Sequence, residues 1–252
     1  MSSLATDSTL LGVRAVLRAR RNPATLISAV LAPLLFFALF SIVMTRVMDA
    51  QGFDYRQLLP STIVVQAMLF AAMSSAYYIA QDRLSGVTGR LRSLPIHRAA
   101  PLVGRAIGDL VRSLVSLLVV IAVGVAAGMR FDAGVGGFFG FIGVALLFSM
   151  AVSLGMGLIG YVASSPEGAV SIASLPYLPL LMVSTGFAPV EDFPGWLQPF
   201  VEWQPVSATI DALRALAGDG DIATTVTRSV AWSVGLGLVF ALFGARAFRR
   251  TS

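Results

Sequence analysis

"QLLPSTIVVQAMLFAAMSSAYYIAQ", residues 57–81, contains no charged residue, and "DRLSGVTGRLRSLPIHRAAPLVGR", residues 82–105, follows it with five arginines and the single histidine of the chain. The first stretch is long enough to cross a bilayer core as a helix, which takes roughly 20 apolar residues. The second is too polar to enter lipid. The fold turns on whether this alternation repeats along the chain.

It does. Other charge-free runs cover residues 22–45, 113–129, 133–166, 168–190 and 229–245. Of the 252 residues, 56% are hydrophobic and 12% charged, with a mean hydropathy of +0.82. Soluble domains carry about 25% charged residues, so the apolar blocks are read as facing lipid. The run 133–166 is too long for one span, but it opens with "AGVGGFFG" and closes with "ASSPEG", which can form its turns. The chain therefore reads as one all-α integral membrane domain, 1–252, with six spans at about 24–45, 58–80, 107–129, 138–163, 168–187 and 229–247. The third and sixth runs are short and borrow residues around Asp109 and beyond Arg246. The first run exceeds the roughly 7–15-residue apolar core of a secretory signal and is read as retained.

Charge sets the sidedness. The chain has no lysine. Arg14, Arg18, Arg20 and Arg21 precede span one; Arg83, Arg90, Arg92, Arg98, Arg105 and Arg112 lie between spans two and three; Arg246, Arg249 and Arg250 follow span six. Arg46, Arg56, Arg130, Arg214 and Arg228 fall on the other side. Thirteen against five puts both termini in the cytoplasm. The sequence pI of 10.4 does not indicate a nucleic-acid partner, because the arginines sit in short clusters between apolar runs and form no single basic face. Membrane lipid is the natural partner of such clusters.

Two amphipathic stretches flank the spans. Over residues 8–22, Leu10, Val13 and Leu17 recur at helical spacing beside a stripe of Arg14, Arg18 and Arg21, as in a helix lying on the inner leaflet. The segment 188–228 faces outward and carries Trp196, Leu197, Phe200 and Trp203, an aromatic element suited to the membrane interface. Beyond Pro205, the apolar residues Ile210, Leu213 and Leu216 continue a stripe into a further helix. The connector 82–98 is longer than a tether between antiparallel helices requires. Leu91 and Leu94 share a face there, with Arg90 and Arg92 beside them. Two readings stay open from composition: a loop that binds lipid head groups, or a docking element for a cytoplasmic protein.

Chemistry is absent from the pattern. There is no cysteine, and His97 has no ligand neighbours, so neither a redox centre nor a metal site is expected. No G-x-x-x-x-G-K-[ST], G-x-S-x-G or H-E-x-x-H occurs, and no catalytic residue is assigned. Asp109 stands four after Arg105 and three before Arg112, so one helical face can pair all three. Gly136 and Gly140 fall at the GxxxG interval, and Gly155, Gly157 and Gly160 crowd the same span, a pattern for close helix packing. Pro176 and Pro179 are expected to kink span five.

The order of these features resembles the type 2 ABC exporter permease family, in particular its daunorubicin-resistance-like branch. The resemblance covers nearly the whole chain: the arginine-rich helix ending in "RRNP", the loop "DRLSGVTGRLRSLPIHRAAPLVGR", the outer "PGWLQPFVEWQPVSATIDALRAL" and the six-span order. The family's loop pattern falls on Asp82, Arg83, Gly86, Thr88, Leu91, Leu94, Pro95 and Arg98, with Thr88 displaced by one position. Gly89 and Arg90 stand where family members often carry an acidic residue and a helix former, and Gln204–Pro205 replaces the usual Asn-Pro step. The resemblance implies that loop 82–98 couples to a separate ABC ATPase subunit, which binds ATP and Mg while this chain binds no cofactor. It implies a second permease copy or paralogue, with spans one, two and five at the seam. A hydrophobic or amphipathic substrate (drug, lipid or glycolipid) would leave the cytoplasm or inner leaflet through a bacterial plasma membrane. A secondary transporter, or a non-transporting assembly or sensor subunit, is the alternative class.

Overall fold

The computed structural model describes residues 12, 13, 17, 31, 33–42, 55–87, 89, 100–218 and 220–250, the side chains of 55, 56, 101, 102 and 245–250 excepted. Among them the regular structure is entirely helical. In chain order the helices are α1 (Pro33–Ile42), α2 (Tyr55–Leu84), α3 (Ala100–Ala126), α4 (Gly134–Val162), α5 (Pro166–Met182), the short α6 (Gln198–Trp203), α7 (Pro205–Ala217) and α8 (Ile222–Arg250). A single 3-10 turn, Val190–Asp192, precedes α6.

Among the described residues, four stretches are long and apolar enough to cross a bilayer: Gln57–Leu84, Val103–Ala126, Gly134–Val162 and Ile222–Gly244. The 17 residues of α5 rise only about 25 Å, somewhat short of a hydrocarbon core. The glycine run expected to form a turn before span four is instead helical from Gly134 onward. Intrahelical hydrogen bonding does not stop where an apolar window stops, so these helices overrun the windows read from charge.

The turns follow from local chemistry. Helix α2 ends where Gly86 adopts φ +73°, and Ser85 and Gly86 donate back to the Gln81 and Arg83 carbonyls at 3.0 and 3.2 Å. At the end of α3, Gly128 takes φ +111° and Met129 donates to Gly124 O at 2.9 Å, a Schellman closure. Ser165 caps α5 by accepting from Gly168 N at 2.9 Å, with Pro166 at the first helical position. Asp221 caps α8, accepting from Ala223 N at 3.0 Å and from the Thr224 hydroxyl at 2.6 Å.

Helix α2 is the hub of the bundle. It packs against α3, α4, α5 and α7, and 83% of its most apolar stretch is buried. Its alanines explain how: Ala67, Ala71, Ala72, Ala76 and Ala80 are all buried, and they let neighbouring backbones come close. The facing glycines belong to α4. A Cβ built on Gly160 would lie 2.5 Å from the Ala76 carbonyl oxygen, and one on Gly157 would lie 2.7 Å from Ile79. At the other end of α4 the close approach is to α7, through Gly137 and Gly140 against Leu216; Gly136, from the expected GxxxG pair, faces open space. In lipid such contacts stabilise by packing, since both sides of the exchange are apolar.

Candidate functional site

Alternating helix directions gather the charged and polar groups at two ends. At one end, the last turn of α2 is tied to two neighbours. Asp82 meets Arg105 of α3 at 3.1 Å, and Arg83 donates to the Ala163 carbonyl that closes α4. One turn deeper, Arg112 pairs with Asp109, and its guanidinium lies 4.9 Å from the Tyr78 ring centre of α2. Asp109 and Arg112 are both buried. Removing one member of a buried ion pair costs more than the pair is worth, because the other charge stays behind. The single-face reading of Arg105, Asp109 and Arg112 is thus divided: Arg112 keeps Asp109, while Arg105 turns across to Asp82.

Of the loop residues read from sequence, Asp82 and Arg83 lie in this cluster, and Gly86 forms the turn beyond it with its neighbours Leu84 and Ser85 exposed. Thr88, Arg90, Leu91, Leu94, Pro95 and Arg98 lie outside the described residues, as do Arg14, Arg18 and Arg21 of the interfacial stretch. That stretch is represented by Gly12, Val13 and Leu17. Gly12 is buried, and a Cβ built there would lie 2.9 Å from Ile107 of α3, while Val13 and Leu17 are exposed.

The opposite end is a denser network. Arg214 of α7 donates to the Thr185 and Gly186 carbonyls just beyond α5, at 2.8 and 3.2 Å, and to Thr62 Oγ1 of α2 at 3.3 Å. A guanidinium here is favoured by the partial negative charge at the end of α5. Thr62 in turn donates to Gly186 O at 3.1 Å. Asp211, one turn before Arg214, accepts from Thr185 Oγ1 at 2.7 Å and pairs with Arg228 of α8 at 2.7 Å. Gln57 and the Arg130 backbone exchange two hydrogen bonds of 2.9 Å, holding the start of α2 to the α3–α4 turn. Helix α7 is buried almost all round, beyond the single stripe of Ile210, Leu213 and Leu216. Just before it, Trp196, Phe200 and Trp203 are exposed, Leu197 is half-buried and Pro205 opens α7.

Between the two ends, two polar pairs cross from helix to helix. Gln66 Nε2 of α2 donates to the Tyr177 hydroxyl of α5 at 2.8 Å, under a Phe70–Tyr177 ring contact of 5.0 Å. The Ser113 and Ser149 hydroxyls meet at 2.6 Å between α3 and α4. Among the described residues no group of three or more His, Cys, Asp or Glu is placed to hold a metal ion. Among the described residues the arrangement holds helices together. The Asp211–Arg214 pair carried a signal that went unread: two charges three residues apart inside an otherwise apolar helix.

Helices long and apolar enough to cross a bilayer, with an arginine-rich stretch following the central one in sequence, define a multi-pass membrane protein. The family model for ABC-2 type transporters matches residues 7–217, and the chain belongs to that family. It is similar to the probable doxorubicin resistance ABC transporter permease protein DrrC of Mycobacterium tuberculosis, 31% identical over 245 residues, covering 95% of this chain and 87% of the relative. It is also similar to the daunorubicin resistance ABC transporter permease protein DrrB1 of Streptomyces coeruleorubidus, at 32% over 243 residues, covering 94% and 83%. A more distant likeness is to the putative transport permease ycf38 of Cyanophora paradoxa, at 28% over 211 residues, covering 81% and 71%.

Proposed function

We propose that this chain is the permease subunit of an ATP-driven exporter that moves a hydrophobic or amphipathic compound, of the drug or lipid class, out of the cytoplasm or inner leaflet. The observation that carries the reading is that the arginine-rich loop leaves directly from α2, the helix in contact with most of the bundle. A push on that loop reaches α3, α4, α5 and α7 together. The chain has no phosphate-binding loop, so ATP and Mg belong to a separate ABC ATPase subunit that docks on the loop following α2. Six spans, with both termini in the cytoplasm of a bacterial cell, complete the reading.

The seam with a second permease copy or paralogue is formed by α1 and α5. Phe36, Phe37 and Phe40 of α1 turn inward, and Phe40 lies 4.9 Å from Phe187 just past α5. Leu35, Leu39 and Ile42 of α1, and Ile172, Leu175, Leu178 and Met182 of α5, face outward. Span two, placed at the seam by resemblance, is too enclosed by its own chain to contribute much.

The test is reconstitution with a candidate ABC ATPase subunit from the same organism. The permease alone should hydrolyse no ATP, should raise the ATPase's turnover, and should load inverted vesicles with an anthracycline or labelled lipid only when ATP is present. Turnover by the isolated chain would sink the reading. For topology, single cysteines at positions 18, 92 and 250 should be shielded from an impermeant reagent in intact cells, while those at 52 and 218 should label.

A further inference from the structure

The loop motif is ordinarily read as one docking element, but the structure divides it. Asp82 and Arg83 are part-buried and bonded to neighbouring helices. The Asp82 and Arg105 side chains retain only 16% and 24% of their exposure, and they meet at 3.1 Å across the α2–α3 gap. Arg83 reaches a second helix, through the Ala163 carbonyl at the end of α4. That carbonyl belongs to the last residue before the Ser164–Ser165 turn, so the contact also fixes where α5 begins. Leu84, Ser85 and Gly86, the next three residues, are exposed. Gly86 turns the chain out of the helix at φ +73°, and a Cβ built on Gly86 or Gly89 would meet nothing within 4 Å. Below the clasp, Tyr78 and Arg112 join α2 to α3 a second time.

We infer that Asp82 and Arg83 are positioning residues that act inside this chain, clasping the stem of the loop to α3 and α4, and that docking belongs to the residues beyond Leu84. The inference rests on the permease reading above and assigns two residues of its loop a role within the bundle. An acidic and a basic residue side by side on α2 hold two different helices, one through a guanidinium of α3 and one through the carbonyl that closes α4. The stem is held from two sides, so motion of the loop is passed to three helices and is not absorbed by fraying of the last turn of α2. Carboxylate–guanidinium geometry suits this: the pair is charge-assisted, directional and partly screened from water. Because the partners lie within one chain, exchanging them should preserve the contact. Exchange would not preserve a contact made with another protein.

The experiment compares Asp82→Asn, Arg105→Gln, Asp82→Arg and the exchange Asp82→Arg/Arg105→Asp, each co-expressed with the ATPase. All four should capture the ATPase in co-purification as well as the unaltered chain does. ATP-driven vesicle loading should fall roughly fivefold or more in the three single variants, the scale of an ordinary coupling between sites. The exchange should recover most of it. Arg83→Gln should behave like Asp82→Asn. Loss of ATPase capture by Asp82→Asn would return the residue to the docking surface and overturn the inference. So would an exchange no better than Asp82→Arg alone, or single variants that transport normally. If the unaltered chain captured no ATPase, the permease reading itself would fail. In that case the thermal midpoint of the permease alone still decides the clasp: each single variant should lower it and the exchange should restore it.

Discussion

Helices α2 and α8 have the same mean hydropathy, 1.6, yet 83% of one is buried inside the protein and only 11% of the other. In a soluble protein the buried helix would be the greasier one. In a bilayer both environments are apolar, so hydropathy reports insertion and is silent about position. What separates the two helices is side-chain size and polarity. Helix α2 carries buried alanines together with Ser61, Thr62, Gln66 and Ser75, while α8 turns Val234, Leu238, Val239, Leu242 and Phe243 outward. Buried small and polar groups on α2 accompany its large ones, Leu59, Ile63 and Met68, whereas the large groups of α8 face outward.

The contrast can be broken most severely at the hub. Gly160→Leu should destabilise the detergent-solubilised chain by about 3 kcal/mol, the upper range for overpacking, because the Ala76 carbonyl it meets is backbone and cannot rotate away. Thermal unfolding followed by circular dichroism measures it. Next comes the outer network, where Arg214→Ala removes donors to Thr185, Gly186 and Thr62 and should cost about 2 kcal/mol. Arg214→Lys should recover only part of this, since an ammonium cannot reproduce the fork. Within the hub itself, Gln66→Leu removes one interhelical hydrogen bond and should cost about 0.6 kcal/mol, the average for such bonds in lipid.

A smaller effect, confined to acid, is expected at the start of α8. The Thr224 hydroxyl, with the Thr224 and Ala223 amides, holds the Asp221 carboxyl below its ordinary value. A depressed carboxylate stabilises the fold above its unfolded value, and that contribution is lost as pH falls through the folded one. Protection of the Ala223 and Thr224 amides, taken as the exchange rate relative to the intrinsic rate at each pH, should therefore fall on acidification, and Asp221→Asn should flatten the dependence. The smallest effect belongs to the rim. Leu238→Val should shift stability by no more than about 0.5 kcal/mol, and a larger loss would show that α8 is covered by something other than lipid.

These differences also mark what the sequence could convey. Charge-free runs separated by arginine clusters made the helical membrane class and the loop legible, because bilayer thickness acts on length and charge directly. The centre was not legible, since α2 and α8 score alike on the quantity used to find them. Arg105 could be placed on a face with Asp109 by spacing, but its choice of Asp82 depends on how α3 lies beside α2, which no spacing along one helix contains. The same holds for Gly137, which packs where Gly136 was expected, one residue round the helix. Arg214 was counted only as one of the outward charges. Its role appears once the end of α5 and the start of α2 are seen to converge on it.

The enclosure of α2 bears on how the chain is made. The partners of its polar groups are synthesised long after it: Gln66 waits 111 residues for Tyr177, Thr62 waits 152 for Arg214, and Gln57 waits 160 for Ala217. At about 5–20 residues per second, the first of these delays lasts roughly 5–20 s. Throughout that interval a newly inserted α2 holds its glutamine, serines and threonine against lipid or against the insertion machinery. The last helices to emerge release it. Chains truncated before α7 should therefore stay bound to an insertase and be cleared by membrane proteases, even though every segment they contain is apolar enough to insert.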